Sequence, residues 1–161
     1  MKLKLGLYKL PEMNDNEIIS LIKDQKICRI AFIDEKYPYI APFQYTYVNE
    51  SFYFHFTNYG KKIDIIKNNR NVCVSIEQLA TDLKRFHFVT FQGTLLEVKD
   101  INEKQHVLSQ LASEGSKKFS KEFLSAHGLD KDKSWKDLAR KKDLLIFKLG
   151  EIKNIVALGS S

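Results

Sequence analysis

Five short runs rich in β-branched and aromatic residues follow one another between residues 27 and 98, and this succession limits the possible folds more than any other feature. Residues 27–34, 37–48, 51–57, 71–78 and 85–98 read as strands. Asp34-Glu35-Lys36 and Asn49-Glu50 supply turns between the first three, and residues 62–69 read as a short amphipathic helix between the third and fourth. Residues 143–149 and 151–158 look like one or two closing strands. Apolar ribbons of this kind leave sticky edges unless the sheet closes on itself. The expected fold is therefore mainly β: a closed or partly closed barrel with peripheral helices. Alternating βα units and a glycine-rich dinucleotide fingerprint are both missing, which argues against a Rossmann fold.

Helices frame the strands. Asn14 and Glu17 have capping-box spacing ahead of Ile18, Ile19, Leu21 and Ile22, so a first helix is expected to start near Asn14. Asn102, with Gln105 three residues on, is expected to cap a second that turns Val107, Leu108 and Leu111 inward. Residues 116–142 read as irregular helix anchored by Phe119, Phe123, Leu124, Trp135 and Leu138 and broken at Gly128. A chain of 161 residues suits one domain, 1–161, with a helical insertion over about 102–142.

Composition excludes several classes. No apolar run is long enough to span a bilayer. The opening Met1-Lys2-Leu3-Lys4-Leu5-Gly6-Leu7-Tyr8 has no signal-peptide core or cleavage site, so a cytoplasmic location is expected. Cys28 and Cys73 sit in apolar strand segments without metal-ligand spacing and are expected to be reduced thiols; no metal site is expected. The net charge of +6 permits nucleic-acid binding. Its lysines are spread out, loosely concentrated between Lys117 and Lys142, and no arginine run or RNA-binding aromatic motif accompanies them, so a solvated surface is the favoured reading.

The segment His55-Phe56-Thr57-Asn58-Tyr59-Gly60-Lys61-Lys62 lies at the switch from the third strand to the short helix. A helix opening exposes N–H groups and partial positive charge. Thr57, Gly60, Lys61 and Lys62 would turn that opening into an anion cradle. The same residues are also compatible with an ordinary loop and a solvated lysine pair.

The order of these elements resembles the FMN-binding split-barrel proteins, the superfamily of pyridoxamine 5'-phosphate oxidase, and within it the branch of the nitroimidazole-resistance proteins. The resemblance is carried by Cys28-Arg29-Ile30-Ala31-Phe32-Ile33-Asp34, Pro38-Tyr39-Ile40-Ala41-Pro42-Phe43, Phe52-Tyr53-Phe54-His55, Gly60-Lys61-Lys62, Asn69-Arg70-Asn71-Val72-Cys73-Val74 and Val89-Thr90-Phe91-Gln92-Gly93-Thr94-Leu95. It covers residues 15–100 well, the tail from 143 weakly and 114–142 hardly at all. It implies a homodimer with FMN in a groove between subunits. Thr57, Lys61 and Lys62 would hold the phosphate, with His55 in the wall leading to it. Ala41, Pro42, Phe43 and Gln44 would run along the isoalloxazine, and Gln92 would make partner or ring-edge contacts. Phe43, Tyr45 and Tyr47 could add aromatic surface, although barrel core or an exposed pleat is the favoured place for each.

The chain also departs from that pattern. The oxidase carries an arginine on the strand that here holds Pro38 to Gln44, where this chain has none; Arg29, one strand earlier, is a candidate substitute. Its C-terminal substrate-binding tryptophan and arginine have no counterpart, since Trp135 falls in the unmatched helical stretch. Phe56 follows His55, where a small residue often stands in the nitroimidazole-resistance branch, so a structural role for His55 is the favoured one. Vitamin B6 oxidation is not expected. The implied function is an FMN-dependent oxidoreductase with a small-molecule electron donor and acceptor. Non-catalytic FMN storage, haem in the same groove and a nucleic-acid-binding module are the alternatives.

Overall fold

A computed structural model describes residues 9–125 and 133–160. Six strands, β1 (Ile27–Phe32), β2 (Tyr39–Val48), β3 (Ser51–Phe56), β4 (Asn71–Leu79), β5 (Phe86–Glu97) and β6 (Leu145–Gly159), close into a barrel in the order β1-β2-β3-β6-β5-β4. Every neighbouring pair is antiparallel. The expected barrel with peripheral helices is therefore present.

Strand parity builds the interior. In β3 the alternation sends Phe52, Phe54 and Phe56 inward, where Phe52 meets Phe91 at 5.1 Å and Phe56 meets Phe147 at 5.1 Å between ring centres. Tyr53 and His55 take the opposite face. Tyr45 is fully buried, and its one hydroxyl proton is shared between the carbonyls of Ile22 and Gln25, 2.7 and 2.8 Å away, tying the barrel to the end of α1 (Asp15–Asp24). Phe43 and Tyr47 pack against the same core, so these aromatics are chiefly interior groups. Asn14 does cap α1: its Oδ1 accepts from Glu17 N at 3.0 Å and Glu17 Oε2 accepts from Asn14 N at 2.8 Å.

A second apolar cluster lies outside the barrel wall under α3 (Ile101–Lys118), α4 (Lys121–Ser125) and α5 (Trp135–Leu138). Tyr53 faces it and donates to Glu103 Oε1 at 2.8 Å; burial and that carboxylate push its phenol up to about 12. Trp135 packs over Gly115, where an added Cβ would stand inside the indole ring. The cap of α3 is Asp100, which accepts from Glu103 N at 2.7 Å, two residues earlier than the expected Asn102; Asp100 has the extended backbone of a cap, whereas Asn102 already lies inside the helix. Gly128, expected to break the helical stretch, lies outside the described residues.

The tail forms one long strand. β6 passes through a register shift opposite Gln92 and Thr94, with Glu151 in the left-handed region at φ 49°, and continues to Gly159. Two apparent strands are thus one strand with an irregularity. Cys28 is buried and Cys73 half-buried; both are free thiols, and burial pushes both up from the ordinary cysteine value. Among the described residues no helix is long and apolar enough to cross a membrane.

Candidate functional site at a splayed strand pair

β2 and β3 pair only from Val48↔Ser51 to Tyr45↔Phe54. Beyond that point β2 stays with β1, while His55 and Phe56 pair with β6. The two strands diverge, and a cavity of about 240 Å³ opens between them. Its walls include Ala41, Pro42, Phe43 and Gln44 from β2, with His55, Thr57 and Lys62 opposite.

The hydrogen-bond alternation of β2 follows from Tyr45 N donating to the Lys26 carbonyl at 3.0 Å. It turns the backbone N–H and C=O of Gln44 and the C=O of Pro42 toward the gap. Proline suits that edge because the missing N–H costs no ladder bond there. The Gln44 side chain is buried and donates to the Leu111 carbonyl at 3.2 Å, fastening α3 behind the cavity.

At the other end β3 gives way to α2 (Lys61–Asn68). Its N-cap is Gly60 at φ 98°, a conformation that disfavours any side chain, and no side chain caps the helix. Lys62 folds back over this opening: its Nζ donates to Thr57 Oγ1 at 3.3 Å and would lie 3.9 Å from a Cβ built at Gly60. The Thr57 hydroxyl in turn donates to the Tyr59 carbonyl at 3.1 Å. Among the described residues no carboxylate pairs with Lys62, and desolvation alone pulls its ammonium below the ordinary lysine range. A half-buried cation, a hydroxyl and an uncapped helix opening thus converge in one cavity. This donor set matches a phosphate group.

Seven of the nine residues suggested by the sequence line this cavity: Ala41, Pro42, Phe43, Gln44, His55, Thr57 and Lys62. The other two stand elsewhere. Lys61 turns away and pairs with Asp34 Oδ2 at 3.1 Å. Gln92 lines a separate groove of about 650 Å³ along the outer face of β1, β4 and β5. Arg29, the candidate replacement for a missing arginine, pairs with Glu77 on that outer face and does not line the cavity. Trp135 belongs to the helical cluster. Three further residues line the cavity: Ile27, Tyr39 and Phe123. Ile27 lies opposite Gln44, a pairing set by the β1–β2 register. Phe123 comes from α4, for which the sequence offered only an apolar anchor.

The family described as pyridoxamine 5'-phosphate oxidase matches residues 14–135, more than half of the chain. The chain belongs to that family. The match reaches further into the helical layer than the sequence resemblance did. Solved structures share the fold at low identity. An FAD-binding protein of Mesorhizobium loti aligns with TM-score 0.67 and 17% identity over 94% of this chain and 99% of its own. A protein described with 5-nitroimidazole antibiotic resistance in Bacteroides thetaiotaomicron aligns with TM-score 0.67 and 20% identity, covering 94% and 87%. The haem storage protein HutZ of Vibrio cholerae aligns with TM-score 0.65 and 15% identity, covering 89% and 94%. No curated protein matches the chain significantly. At these identities the structural likeness establishes the split-barrel fold alone.

Proposed function

We propose that this chain binds FMN, with the phosphate at the opening of α2 and the isoalloxazine along the splayed segment of β2. We further propose that it acts as a flavin-dependent oxidoreductase in a homodimer. The observation that supports this most is Lys62, an ammonium without a carboxylate partner among the described residues, held against Thr57 and over Gly60. A phosphate dianion would supply a countercharge for it. The relatives described as FAD-binding and haem-storing make planar redox cofactors the class to test.

When bound, FMN would supply a reversible electron acceptor. The chain's residues would do the rest. Lys62, Thr57 and the first turn of α2 would anchor the phosphate. The backbone of the segment from Ala41 to Gln44 would run along the polar ring edge, and Tyr39, Phe43 and Phe123 would wall off water. Nothing in this arrangement requires a side-chain nucleophile or a paired acid and base; the protein would position the reactants and shape the electrostatics.

The dimer is part of the proposal because the cavity of one chain is small. Sites that bury a whole small ligand run from ~300 to ~1,000 Å³, against about 240 Å³ here. Ile33, Tyr37 and Ile40 are 55%, 68% and 61% exposed on and beside the hairpin that lines it, apolar surface suited to a second copy. The groove that holds Gln92 would then face the other subunit.

The test is to denature purified protein and examine the supernatant for flavin. Released FMN supports the proposal; a colourless preparation that takes up no added FMN overturns it. A haem spectrum would move the assignment to haem, bound flavin inert to reduced nicotinamide would leave a storage role, and steeply salt-dependent DNA or RNA binding would favour the nucleic-acid alternative.

A further inference from the structure

The cradle engages one lysine of a pair, and the other is tied down beside it. Consecutive helical residues diverge by about 100°. Lys62 therefore turns to Thr57 while Lys61 turns to the β1–β2 hairpin. There the Lys61 ammonium meets Asp34 Oδ2 at 3.1 Å and lies 5.4 Å from the centre of the Tyr39 ring. Tyr39 lines the cavity together with Lys62, so Lys61 stands one aromatic ring away from the proposed phosphate position. Asp34 is itself fixed: its Oδ1 accepts from Glu35 N at 2.9 Å. The Lys61 hydrogen bond, with that backbone contact, holds its carboxyl below the ordinary aspartate range.

We infer that Asp34 is a positioning residue that sets the anion affinity of the cradle. By pairing with Lys61 it keeps a second ammonium in reserve, and an incoming phosphate competes with Asp34 for that ammonium. The inference rests on the reading that the cavity takes a phosphate group; it does not require the rest of the ligand to be a flavin. Two effects act in the same direction. The Asp34 carboxylate repels an approaching dianion, and it occupies the cation that would otherwise meet it. The flexible four-carbon stem of lysine allows the exchange without movement of α2. Exposed pairs of this kind contribute modestly, so the consequence is several-fold rather than orders of magnitude.

A double-mutant cycle tests this. Dissociation constants for FMN and, in parallel, for inorganic phosphate are measured at low ionic strength on the wild type, Asp34→Asn, Lys61→Met and the combination. The phosphate titration is read from the backbone amides of residues 60–63. Asp34→Asn is expected to tighten both anions about three- to tenfold in the wild type. Made on top of Lys61→Met, it should gain about twofold or less, because only the direct repulsion is left to remove. Equal gains in the two backgrounds, or weaker binding by a variant whose melting temperature is unchanged, overturn the inference. If Asp34→Asn loosens the hairpin, Asp34→Ser keeps an acceptor for Glu35 N and is read by the same criteria. Should FMN bind none of the four proteins while phosphate still shows the coupling, the flavin proposal falls and this one stands. Absence of coupling for phosphate removes the role of Asp34.

Discussion

Replacing Lys62 by methionine separates what this side chain does for the fold from what it does for a ligand. The substitution keeps a long apolar stem and deletes the ammonium. That ammonium is half-buried, its described partner is the Thr57 hydroxyl at 3.3 Å, and desolvation already disfavours its charge. Thr57 keeps its own bond to the Tyr59 carbonyl without it. The fold should therefore change by no more than about 1 kcal/mol, the net worth of the one long hydrogen bond removed. A bound phosphate, by contrast, would lose a charge-assisted hydrogen bond worth about 1.5–3 kcal/mol. At ~1.4 kcal/mol per tenfold, affinity for FMN should fall by roughly ten- to a hundredfold. Flavin fluorescence titration measures the affinity, and thermal unfolding of the apoprotein measures the stability. Unchanged affinity in a folded variant refutes the placement of the phosphate. A drop of many degrees in Tm instead makes Lys62 a structural residue.

The same lysine predicts a pH profile. Its pKa is depressed in the folded state, so the folded apoprotein binds fewer protons than the unfolded chain as pH approaches the lysine range, and this group's contribution to stability rises with pH there. Ligand affinity runs the other way, because the phosphate needs the charged form. Affinity should decline with rising pH from below the ordinary lysine value, and also below about pH 6, where a phosphate monoester loses its second charge. A profile flat up to pH 10.5 would contradict this assignment. Gly115→Ala should displace Trp135 from α3 and cost about 1–3 kcal/mol. Because the chain holds a single tryptophan, a red shift in its fluorescence should accompany the loss, and an unshifted spectrum would contradict the packing. Asn14→Ala should remove the capping box of α1 at a cost of about 1 kcal/mol, read from chemical denaturation.

What the sequence determined on its own was local and periodic. Alternation in Ser51–Phe56 decides which side chains face the barrel, so Phe52, Phe54 and Phe56 go in and His55 goes out whatever surrounds them. Asn14 and Glu17 are close enough along the chain to cap α1 by themselves. The run from Thr57 to Lys62 marks a strand passing into a helix, and it does so. Tertiary structure decided whatever depended on residues far apart. Asp34, 27 positions before Lys61 in the chain, meets one lysine of the pair outside the cavity. The end of β2–β3 pairing at Tyr45↔Phe54 opens that cavity, and the register of β5 against β4 carries Gln92 into a different groove. Phe123 reaches the site because α4 packs outside the barrel, a placement that no spacing in residues 116–142 encodes. Periodicity reports which face a side chain takes. Which neighbour it meets there depends on strand register and on competition between distant charges, both settled only when the barrel closes.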